Sequence, residues 1–321
     1  MAKIRVGVIR GGPSSEYGVS LKTGSEVLKY LSTDKYLPID ILIDRQGKWH
    51  WWGLPTTPDK IASRVDLVFN ALHGEYGEDG EVQSILDDLG IPYSGSGRLA
   101  SALGMNKAMA KNIFNREGIK TPRDVLLEAN TDPVQAADFV FRQLPPPWII
   151  KPVDRGSSVG VFLAQTFPDL IQALKQAILF SPRILVEEYI RGREATCGVV
   201  DKFRGHDIYS LPPIEIRRPI GKALFDYEAK YNGQTEEICP GYFNQEEKEE
   251  IERLASLSHK LLGLRHYSRS DFIISPRGVY LLEVNTLPGL TTNSLLPKSL
   301  SAIGCEYGQF LDHLISLSLN R

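Results

Sequence analysis

The chain has 321 residues, of which 42% are apolar and 24% are charged, so we expect a soluble globular protein with roughly two or three domains. Its net charge of −2 argues against nucleic acid as a partner, and no apolar run approaches the roughly 18 residues needed to cross a membrane. Three scattered cysteines predict neither a zinc site nor a disulfide framework, and Gly11-Gly12 interrupts the N-terminal apolar run too early for a signal peptide, which predicts a cytoplasmic location.

The first third of the chain predicts an α/β domain. A continuous apolar strand from Lys3 to Ile9 is followed by a tight loop, Gly11–Ser15, and four-residue spacing of apolar side chains then predicts a helix from Glu16 to Leu31. Further strands are predicted at Tyr36–Ile43 and Leu67–Asn70. A strand, glycine loop, helix and strand in this order predict a parallel sheet, whose ligands lie beyond the carboxyl ends of the strands.

Two segments fall at such strand ends and are candidate ligand loops, Gly11–Glu16 and Ala71–Gly77. A third segment, Gly95–Ala100, matches the dinucleotide-binding pattern G-x-G-x-x-A. It follows the turn Gly90–Pro92 instead of opening a βαβ unit, and the acidic residue about 20 positions further on, Glu117, lies in a predicted helix. Nicotinamide binding is therefore not expected.

The middle of the chain predicts a second architecture. A helix is predicted from Asn106 to Glu117, and strands are predicted at Trp148–Pro152 and Val159–Leu163. Between these strands lies Val153–Ser158, which we call the glycine–serine loop. Such a loop can fold over a polyphosphate with its backbone N–H groups as donors, and Lys151 stands at its base as a positive charge. The alternative is an ordinary hairpin loop beside a surface lysine.

Near the C-terminus, two apolar strands joined by the turn Ser275–Gly278 predict a β-hairpin. The first strand carries Arg269 and Asp271, the second carries Glu283 and Asn285, and the i, i+2 spacing puts both members of each pair on the same face. The hairpin thus gathers three oxygen donors beside one guanidinium. Oxygens of this kind, together with substrate phosphates, suit Mg²⁺. The alternative is a hairpin whose polar residues simply face water.

A series of short motifs covers nearly the whole chain. They are Gly11-Gly-x-Ser-x-Glu16 with Val19-Ser20, His73-Gly-x-x-Gly-Glu-Asp-Gly80 with Gln83, Ile91-Pro-Tyr-x-Gly-Ser-Gly97, Ser101-Ala-x-x-Met-x-Lys107, Lys151-Pro-x-x-x-Gly-Ser-Ser-Val-Gly160, Glu187-Glu-x-Ile-x-Gly-Arg-Glu194, Asp226-Tyr-Glu-Ala-Lys-Tyr231, and the Arg269–Gly289 hairpin continuing to Ser294-Leu-Leu-Pro-Lys298. In this order they resemble the D-alanine–D-alanine ligases of the ATP-grasp superfamily. One departure is Asn106, where the family usually has aspartate, and both residues are good helix N-caps.

The resemblance implies a mixed α/β, or α+β, ATP-grasp fold, in which an N-terminal parallel-sheet domain precedes two α+β subdomains that sandwich ATP. We expect these units at residues 1–95, 96–186 and 187–321, the last with the metal site and a lid loop at 217–239. It also implies the reaction. ATP phosphorylates the carboxylate of one D-alanine, and the amine of a second D-alanine attacks the acyl phosphate to give the dipeptide for peptidoglycan synthesis. Relatives are typically homodimers, which is the assembly expected here.

The resemblance also assigns roles to residues at the ATP end of the site. The nucleotide contacts that it implies are Lys107, Lys151, Glu187, Glu188, Ile190, Glu194 and Lys230. Two Mg²⁺ ions, with Mn²⁺ as an alternative, are expected on Asp271, Glu283 and Asn285. Arg269 and the Gly289 backbone are expected to donate to the oxyanion that forms during the reaction.

At the amino-acid end, Glu16 is expected to hold the ammonium of the first D-alanine, with His73 nearby. Ser294 and Leu295 are expected to contact the carboxylate of the second D-alanine. The expected hydrogen-bonded triad that clamps the lid consists of Glu16, Ser157 and Tyr231.

Two alternatives stay open. Depsipeptide-forming relatives lack the tyrosine that is present here as Tyr231, which favours an amine as the second nucleophile. The chain can still be an ATP-grasp ligase with D-serine or D-lactate as its second substrate. It can also be a nucleotide-binding protein that has lost turnover, although Arg269, Glu283, Asn285 and the phosphate lysines are all retained.

Overall fold

The structure is a computed structural model that describes residues 2–128, 130–157, 159–218 and 235–320. Within these ranges the chain forms three β-sheets with helices packed against them. None of the described helices is both long enough and apolar enough to cross a membrane.

The first sheet has five strands in the order β4-β3-β2-β1-β5. Its strands and the helices that accompany them are β1 (Ile4–Gly11), α1 (Tyr17–Tyr30), β2 (Tyr36–Ile43), β3 (Trp49–Trp51), β4 (Leu54–Thr56), α2 (Pro58–Ala62), β5 (Leu67–Asn70) and α3 (Glu81–Asp88). The predicted parallel pairing is confirmed for β1 with β2 and with β5. The strands β3 and β4 add an antiparallel edge to this sheet, and the sequence analysis does not predict them.

The predicted ligand loops of this sheet lie side by side. Because β1 and β5 are parallel, the loops that follow them leave the sheet at the same edge. Ser14 Oγ donates to the carbonyl of His73 at 2.5 Å, and Ser20 Oγ donates to the carbonyl of Ala71 at 2.8 Å. These hydrogen bonds tie the start of α1 to the loop after β5.

The second sheet is antiparallel and has four strands in the order β6-β9-β7-β8. This part of the chain contains α4 (Arg98–Met105), α5 (Lys107–Arg116), β6 (Asp124–Glu128), α6 (Pro133–Gln143), β7 (Trp148–Pro152), β8 (Phe162–Ala164), α7 (Phe167–Ala177) and β9 (Arg183–Glu188). The N-cap interpretation of Asn106 is confirmed, since its side chain accepts a hydrogen bond from the Met109 N–H at 3.1 Å.

The strand predicted to begin at Val159 begins three residues later, at Phe162. The cause is Gly160, whose φ of +73° belongs to a turn and not to a strand. The connection between β7 and β8 is therefore longer than the sequence predicts, and it contains Gly160 in the left-handed conformation shortly before β8.

The third sheet contains six strands, five of them in the order β13-β12-β10-β14-β15, with β11 also paired to β10. Its elements are β10 (Arg193–Asp201), β11 (Ile208–Ser210), β12 (Ile214–Arg217), β13 (Glu236–Ile238), α8 (Gln245–Leu261), β14 (Tyr267–Ser275), β15 (Gly278–Asn285), α9 (Leu295–Ala302) and α10 (Tyr307–Leu319). The predicted hairpin is confirmed, with Arg269 opposite Asn285 and Asp271 opposite Glu283.

One buried cluster joins the two ends of the chain. It contains Val6 and Phe69 from the first sheet together with Leu296, Phe310 and Leu314 from α9 and α10. Packing of these apolar side chains removes them from water and fixes the C-terminal helices against the first sheet. The N-terminal loops and the C-terminal hairpin are thereby held on either side of one cleft.

Substitution of Gly11 tests the geometry at the start of this cleft. Gly11 has a φ of +95°, and a Cβ added there would lie 2.2 Å from the Ile43 carbonyl oxygen. Gly47 has a φ of +78° but open space around it, so it is a matched control. We expect Gly11→Ala to lower the free energy of unfolding by about 1–3 kcal/mol more than Gly47→Ala does in urea titrations, because only Gly11 adds a steric clash to the backbone strain. Equal losses would contradict this reading.

Candidate active site

Two adjoining cavities are lined by residues from all three sheets and the loops between them. The larger, of about 1090 Å³, is lined by Glu16, His73, Ser157, Asn285, Gly289 and Ser294, among others. The smaller, of about 160 Å³, is lined by Lys107, Lys151, Glu187, Glu188, Ile190, Glu194, Asp271 and Glu283, among others. Arg269 and Leu295 line both cavities, which therefore adjoin at these two residues. Every predicted site residue within the described ranges lies on one of them.

The polar face of the β14–β15 hairpin is a compact hydrogen-bonded group centred on Asp271. The Nε and Nη2 atoms of Arg269 donate to its two carboxylate oxygens, each at 2.9 Å. Asn285 Nδ2 donates to Asp271 Oδ2 at 3.2 Å, and Thr196 Oγ1 donates to Asp271 Oδ1 at 2.5 Å. Glu283 is opposite Asp271 in the strand register. The Arg269 guanidinium therefore shares one face with three oxygen-bearing side chains of the hairpin, as the i, i+2 spacing predicts. These are Asp271, Glu283 and Asn285.

Thr196 was not predicted as part of this group. It lies on β10, which pairs with β14 so that Thr196 is opposite Asp271. A signal was present, because Glu194 lies two residues before Thr196 on the same strand and alternate residues share a face. The pairing of β10 with β14 spans more than seventy residues, so spacing along the sequence could not reveal it.

Arg269 is held in its charged form. Burial disfavours the positive charge, but attraction to Asp271 and the hydrogen bonds to it, with further attraction from Glu283 and Glu78, outweigh that cost. The pKa of Arg269 is therefore raised above its ordinary value. The site thus contains a permanent positive charge with fixed orientation, beside both cavities.

Lys151, which lines the smaller cavity, and the buried Lys111 share one buried carboxylate. Glu187 Oε2 lies 2.7 Å from Lys151 Nζ, and Glu187 Oε1 accepts a hydrogen bond from Lys111 Nζ at 2.6 Å. Lys111 also lies 2.9 Å from Asp124 Oδ1. Burial acts to raise the pKa of Glu187, but the two ammonium groups outweigh it, and the pKa is lowered. The Glu187 side chain therefore holds Lys151 at the wall of the smaller cavity and ties it to Lys111 of α5.

Lys111 was missed at the sequence level, although α5 carries a signal for it. Residues four apart on a helix lie on the same face, and Lys111 follows Lys107 by four. Lys107 Nζ donates to the backbone carbonyl of Arg155 at 2.6 Å and lies 3.4 Å from Glu283 Oε2. Lys107 therefore links α5 to both the glycine–serine loop and the hairpin.

Glu188, the second predicted nucleotide contact on β9, has its carboxylate engaged by protein groups. Oε1 accepts from the Arg123 N–H at 3.0 Å, and Oε2 lies 3.4 Å from the Arg277 guanidinium. The adjacent Ile190 is buried against Ile273 and Tyr280 and supplies an apolar wall. On β10, Glu194 forms an ion pair with Arg218.

In the larger cavity, the carboxylate of Glu16 accepts a hydrogen bond from Ser157 Oγ. Two glycines leave room for this carboxylate, since a Cβ at Gly74 or at Gly156 would lie only 3.0 or 3.1 Å from Glu16 Oε2. Ser157 itself has a φ of +48°, which side-chain-bearing residues adopt only rarely. The predicted contact between Glu16 and Ser157 is thus present, and it joins the first sheet to the glycine–serine loop.

His73 is buried close to Glu16. Its Nε2 lies 2.9 Å from Thr23 Oγ1, its Nδ1 lies 3.1 Å from the Leu287 carbonyl, and Glu78 is 3.7 Å away. Burial acts to lower the pKa of His73, but Glu78 and Glu16 outweigh that effect and raise it above the ordinary value. The raised pKa favours the charged form of His73 relative to a free imidazole, and the two hydrogen bonds connect α1 to the segment after β15.

The far wall of the larger cavity is formed by residues that follow β15. Ser294 immediately precedes α9, which begins at Leu295, and Ser294 Oγ is hydrogen-bonded to Thr291 Oγ1 at 2.8 Å. A Cβ at Gly289 would lie 3.0 Å from Ser294 Oγ. The N–H groups in the first turn of a helix have no carbonyl partner within it and can receive an anion.

Two predicted site residues, Lys230 and Tyr231, lie outside the described residues, as does most of the predicted lid. The described ends of that segment are paired, with Arg217 of β12 opposite Glu236 of β13. These described ends therefore lie on adjacent strands of the third sheet.

Two family models match the chain, one described as the D-ala D-ala ligase N-terminus, at residues 5–64 and 54–96, and one described as the D-ala D-ala ligase C-terminus, at residues 113–316. A D-alanine–D-alanine ligase of Pelotomaculum thermopropionicum is 38% identical over 322 residues, which cover 98% of this chain and 97% of the relative. The corresponding enzyme of Desulfotalea psychrophila is 39% identical over 99% of this chain and 96% of the relative.

Solved structures of D-alanine ligases are also similar to this chain over nearly its full length. The VanG D-Ala:D-Ser ligase of Enterococcus faecalis has a TM-score of 0.87 at 31% identity and covers 99% of this chain and 100% of its own. The D-alanine–D-alanine ligase of Bacillus anthracis has a TM-score of 0.81 at 35% identity, covering 98% and 97%. The same enzyme complexed with ATP has a TM-score of 0.80 at 34% identity, with the same coverage.

Replacing Glu187 tests the buried charge group. Glu187→Gln leaves the buried Lys111 and Lys151 without the carboxylate that they share, so we expect the free energy of unfolding to fall by about 3 kcal/mol in denaturant titrations. Glu128→Gln is the matched control, because Glu128 is exposed on the neighbouring strand β6, and it should change stability by less than about 0.5 kcal/mol. Similar effects of the two substitutions would show that Glu187 does not hold the lysines.

Proposed function

The chain belongs to the D-alanine–D-alanine ligase family, and we propose on that premise that it joins two molecules of D-alanine in an ATP-dependent reaction, for peptidoglycan precursor synthesis. It has the ATP-grasp fold of the family, and the resemblance drawn from its motifs is confirmed. The products are D-alanyl-D-alanine, ADP and phosphate.

The observation that carries this proposal is the meeting of two kinds of binding group in one cleft. Lys107 and Lys151 lie on the smaller cavity, where an anionic nucleotide would place its phosphates. Glu16 lies on the larger cavity and would accept the ammonium of an amino acid. Arg269 borders both cavities, so the phosphoryl donor and the carboxylate acceptor would meet beside it.

In the first step, an oxygen of the D-alanine carboxylate attacks the γ-phosphorus of ATP, and the bond to the ADP oxygen breaks. Glu16 holds the ammonium of this D-alanine, which fixes the direction of its carboxylate. Lys107 and Lys151 hold the phosphates and offset their negative charge. Such transfer needs little covalent help, because positioning and electrostatic stabilisation supply most of the rate.

In the second step, the deprotonated amine of the second D-alanine attacks the acyl carbon and displaces phosphate. Negative charge develops on the carbonyl oxygen, and Arg269 with the Gly289 N–H would stabilise it. The first turn of α9, with Ser294 and Leu295, would receive the carboxylate of the second D-alanine. We further propose that Glu16, Ser157 and Tyr231 close the site, which would exclude water from the acyl phosphate.

We propose that Mg²⁺ is held by the hairpin face. The donor chemistry fits, because Asp271, Glu283 and Asn285 offer two carboxylates and one amide on one face. Within the ranges that the structure describes, no group of three or more His, Cys, Asp or Glu side chains could hold a metal, so nucleotide phosphates would complete the ligand set. Two such ions, or Mn²⁺ in their place, would neutralise the phosphates during transfer.

The remaining roles are proposals of the same kind. Glu188, Ile190 and Glu194 would hold the adenosine, and Lys230 would add a contact to the phosphates. We propose units at residues 1–95, 96–186 and 187–321, a cytoplasmic location where ATP is abundant, and a homodimer, since twofold dimers are the commonest soluble assembly.

A second candidate differs only in the second substrate. The structural similarity to a D-Ala:D-Ser ligase, at a TM-score of 0.87, favours D-serine as that alternative. D-Lactate and a protein without turnover are further outcomes of the test.

The substrate test follows phosphate release and analyses products by mass spectrometry, with ATP, Mg²⁺ and D-alanine alone, or with D-serine or D-lactate added. We expect D-alanyl-D-alanine as the main product in all three mixtures. A main product of D-alanyl-D-serine or D-alanyl-D-lactate would replace D-alanine as the second substrate. ATP binding without any product would overturn the ligase function itself.

The metal site has its own test. Asn285→Ala and Glu283→Gln should each lower kcat with Mg²⁺ by at least about 100-fold, or roughly 2.7 kcal/mol in the barrier, because both remove a metal ligand. Glu246→Gln, at an exposed position on α8, is the control and should leave kcat unchanged. Turnover within about tenfold of wild type in both site variants would contradict the ligand assignment.

A further inference from the structure

Among the described residues, an ion pair and a hydrogen bond join the loops of the first sheet to the glycine–serine loop. The contact between Glu16 and Ser157 belongs to the proposed amino-acid site. The second lies two residues earlier in the loop, where Arg155 Nη1 forms an ion pair with the carboxylate of Glu75. Glu75 lies in the loop after β5, two residues after His73.

Arg155 makes contacts in three directions. Its Nη1 reaches Glu75, and its Nε donates to the carbonyl of Phe180, just before β9, at 2.8 Å. Its backbone carbonyl accepts a hydrogen bond from Lys107 Nζ at 2.6 Å. One residue therefore connects the first sheet, the second sheet and a lysine of the smaller cavity.

Backbone hydrogen bonds hold the two ends of the loop, since the Val153 N–H donates to the Arg183 carbonyl and the Val159 N–H donates to the Gly156 carbonyl, each at 3.1 Å. Gly156 follows Arg155, and Ser157 has a left-handed φ of +48°, so the backbone conformation is intrinsically unfavourable. The Arg155 and Glu75 side chains are 38% and 28% exposed, so water screens their attraction less than it would at an open surface. An ion pair in this position can set where the loop lies relative to the first sheet.

We propose that Arg155 is a positioning residue, whose pairing with Glu75 holds the glycine–serine loop over the nucleotide phosphates and keeps Lys107 aimed into the smaller cavity. The inference rests on the proposed function, since it takes that cavity as the ATP site. Arg155 acts through the loop and through Lys107, and it does not itself need to touch ATP. Loss of the pair would weaken nucleotide binding more than it slows the chemistry that follows binding.

A charge-swap experiment separates positioning from direct contact. The variants are Glu75→Arg, Arg155→Glu and the double variant, which restores an ion pair of reversed polarity. The control is the same swap at Asp138 and Arg142, an exposed pair one turn apart on α6. The measurements are KM for ATP, KM for D-alanine and kcat, and the affinity for a non-hydrolysable ATP analogue by calorimetry. Melting temperatures without nucleotide check that each variant is folded.

Each single variant should raise KM for ATP and weaken analogue binding by about tenfold or more, because like charges then face each other, while kcat at saturating ATP changes less. The double variant should return both quantities to within about threefold of wild type, as expected for two residues that act as one pair. The α6 variants should change neither.

Failure of the double variant to recover would overturn the proposal, because the loss would then come from Arg155 alone, through its Nε contact with Phe180 or a direct contact with phosphate, and not from its pairing with Glu75. Single variants with unchanged nucleotide binding would overturn it as well. If the first pair fails to fold, Glu75→Gln and Arg155→Gln replace it, and equal, non-additive effects are then the supporting result. The calorimetric measurement needs no turnover. A wild-type protein that binds the analogue but makes no dipeptide would therefore refute the ligase function and leave this inference to be decided by binding.

Discussion

Pairing of opposite charges between distant parts of the chain determines the shape of the cleft. A charge removed from water is costly unless a partner and hydrogen bonds compensate it. Here Glu187 on β9 is shared by Lys111 of α5 and Lys151 of β7, and Arg155 of the glycine–serine loop pairs with Glu75 in the loop after β5. The pairs Lys111–Glu187 and Arg155–Glu75 restrict the relative placement of segments that are far apart in the sequence. Pairing of opposite charges therefore has two effects: it keeps the buried groups charged, and it brings the paired groups together.

In the proposed function, charge pairs of this kind would prepare the cleft for a strongly anionic ligand. Lys107 contacts a carbonyl of the glycine–serine loop and lies 3.4 Å from Glu283, so its ammonium is already oriented before any phosphate arrives. A site that is organised in advance avoids the cost of reorienting its dipoles and charges during the reaction. Asp271 is similarly engaged by four donors, from Thr196, Arg269 and Asn285, so metal binding at this face would exchange some of these hydrogen bonds for coordination.

The sequence predicts the parts of the fold that depend on local patterns. The strands Tyr36–Ile43 and Trp148–Pro152 were placed to the residue, and the hairpin register followed from period-two spacing and a short turn. Contacts between segments that are distant in the sequence could not be predicted from local patterns. Thr196 and Lys111 belong to the site only because β10 pairs with β14 and α5 packs beside β9. The late start of β8 reflects the left-handed conformation of Gly160, which a strand propensity does not reveal.

The most direct test of this account is the location of the metal and the phosphates. Crystals grown with Mn²⁺ and a non-hydrolysable ATP analogue would give an anomalous difference map at the manganese absorption edge. The account predicts manganese peaks within coordination distance of Asp271, Glu283 and Asn285, with Lys107 moved from Glu283 to a phosphate oxygen. Bound nucleotide with manganese away from the hairpin face, or with Lys107 still on Glu283, would contradict it.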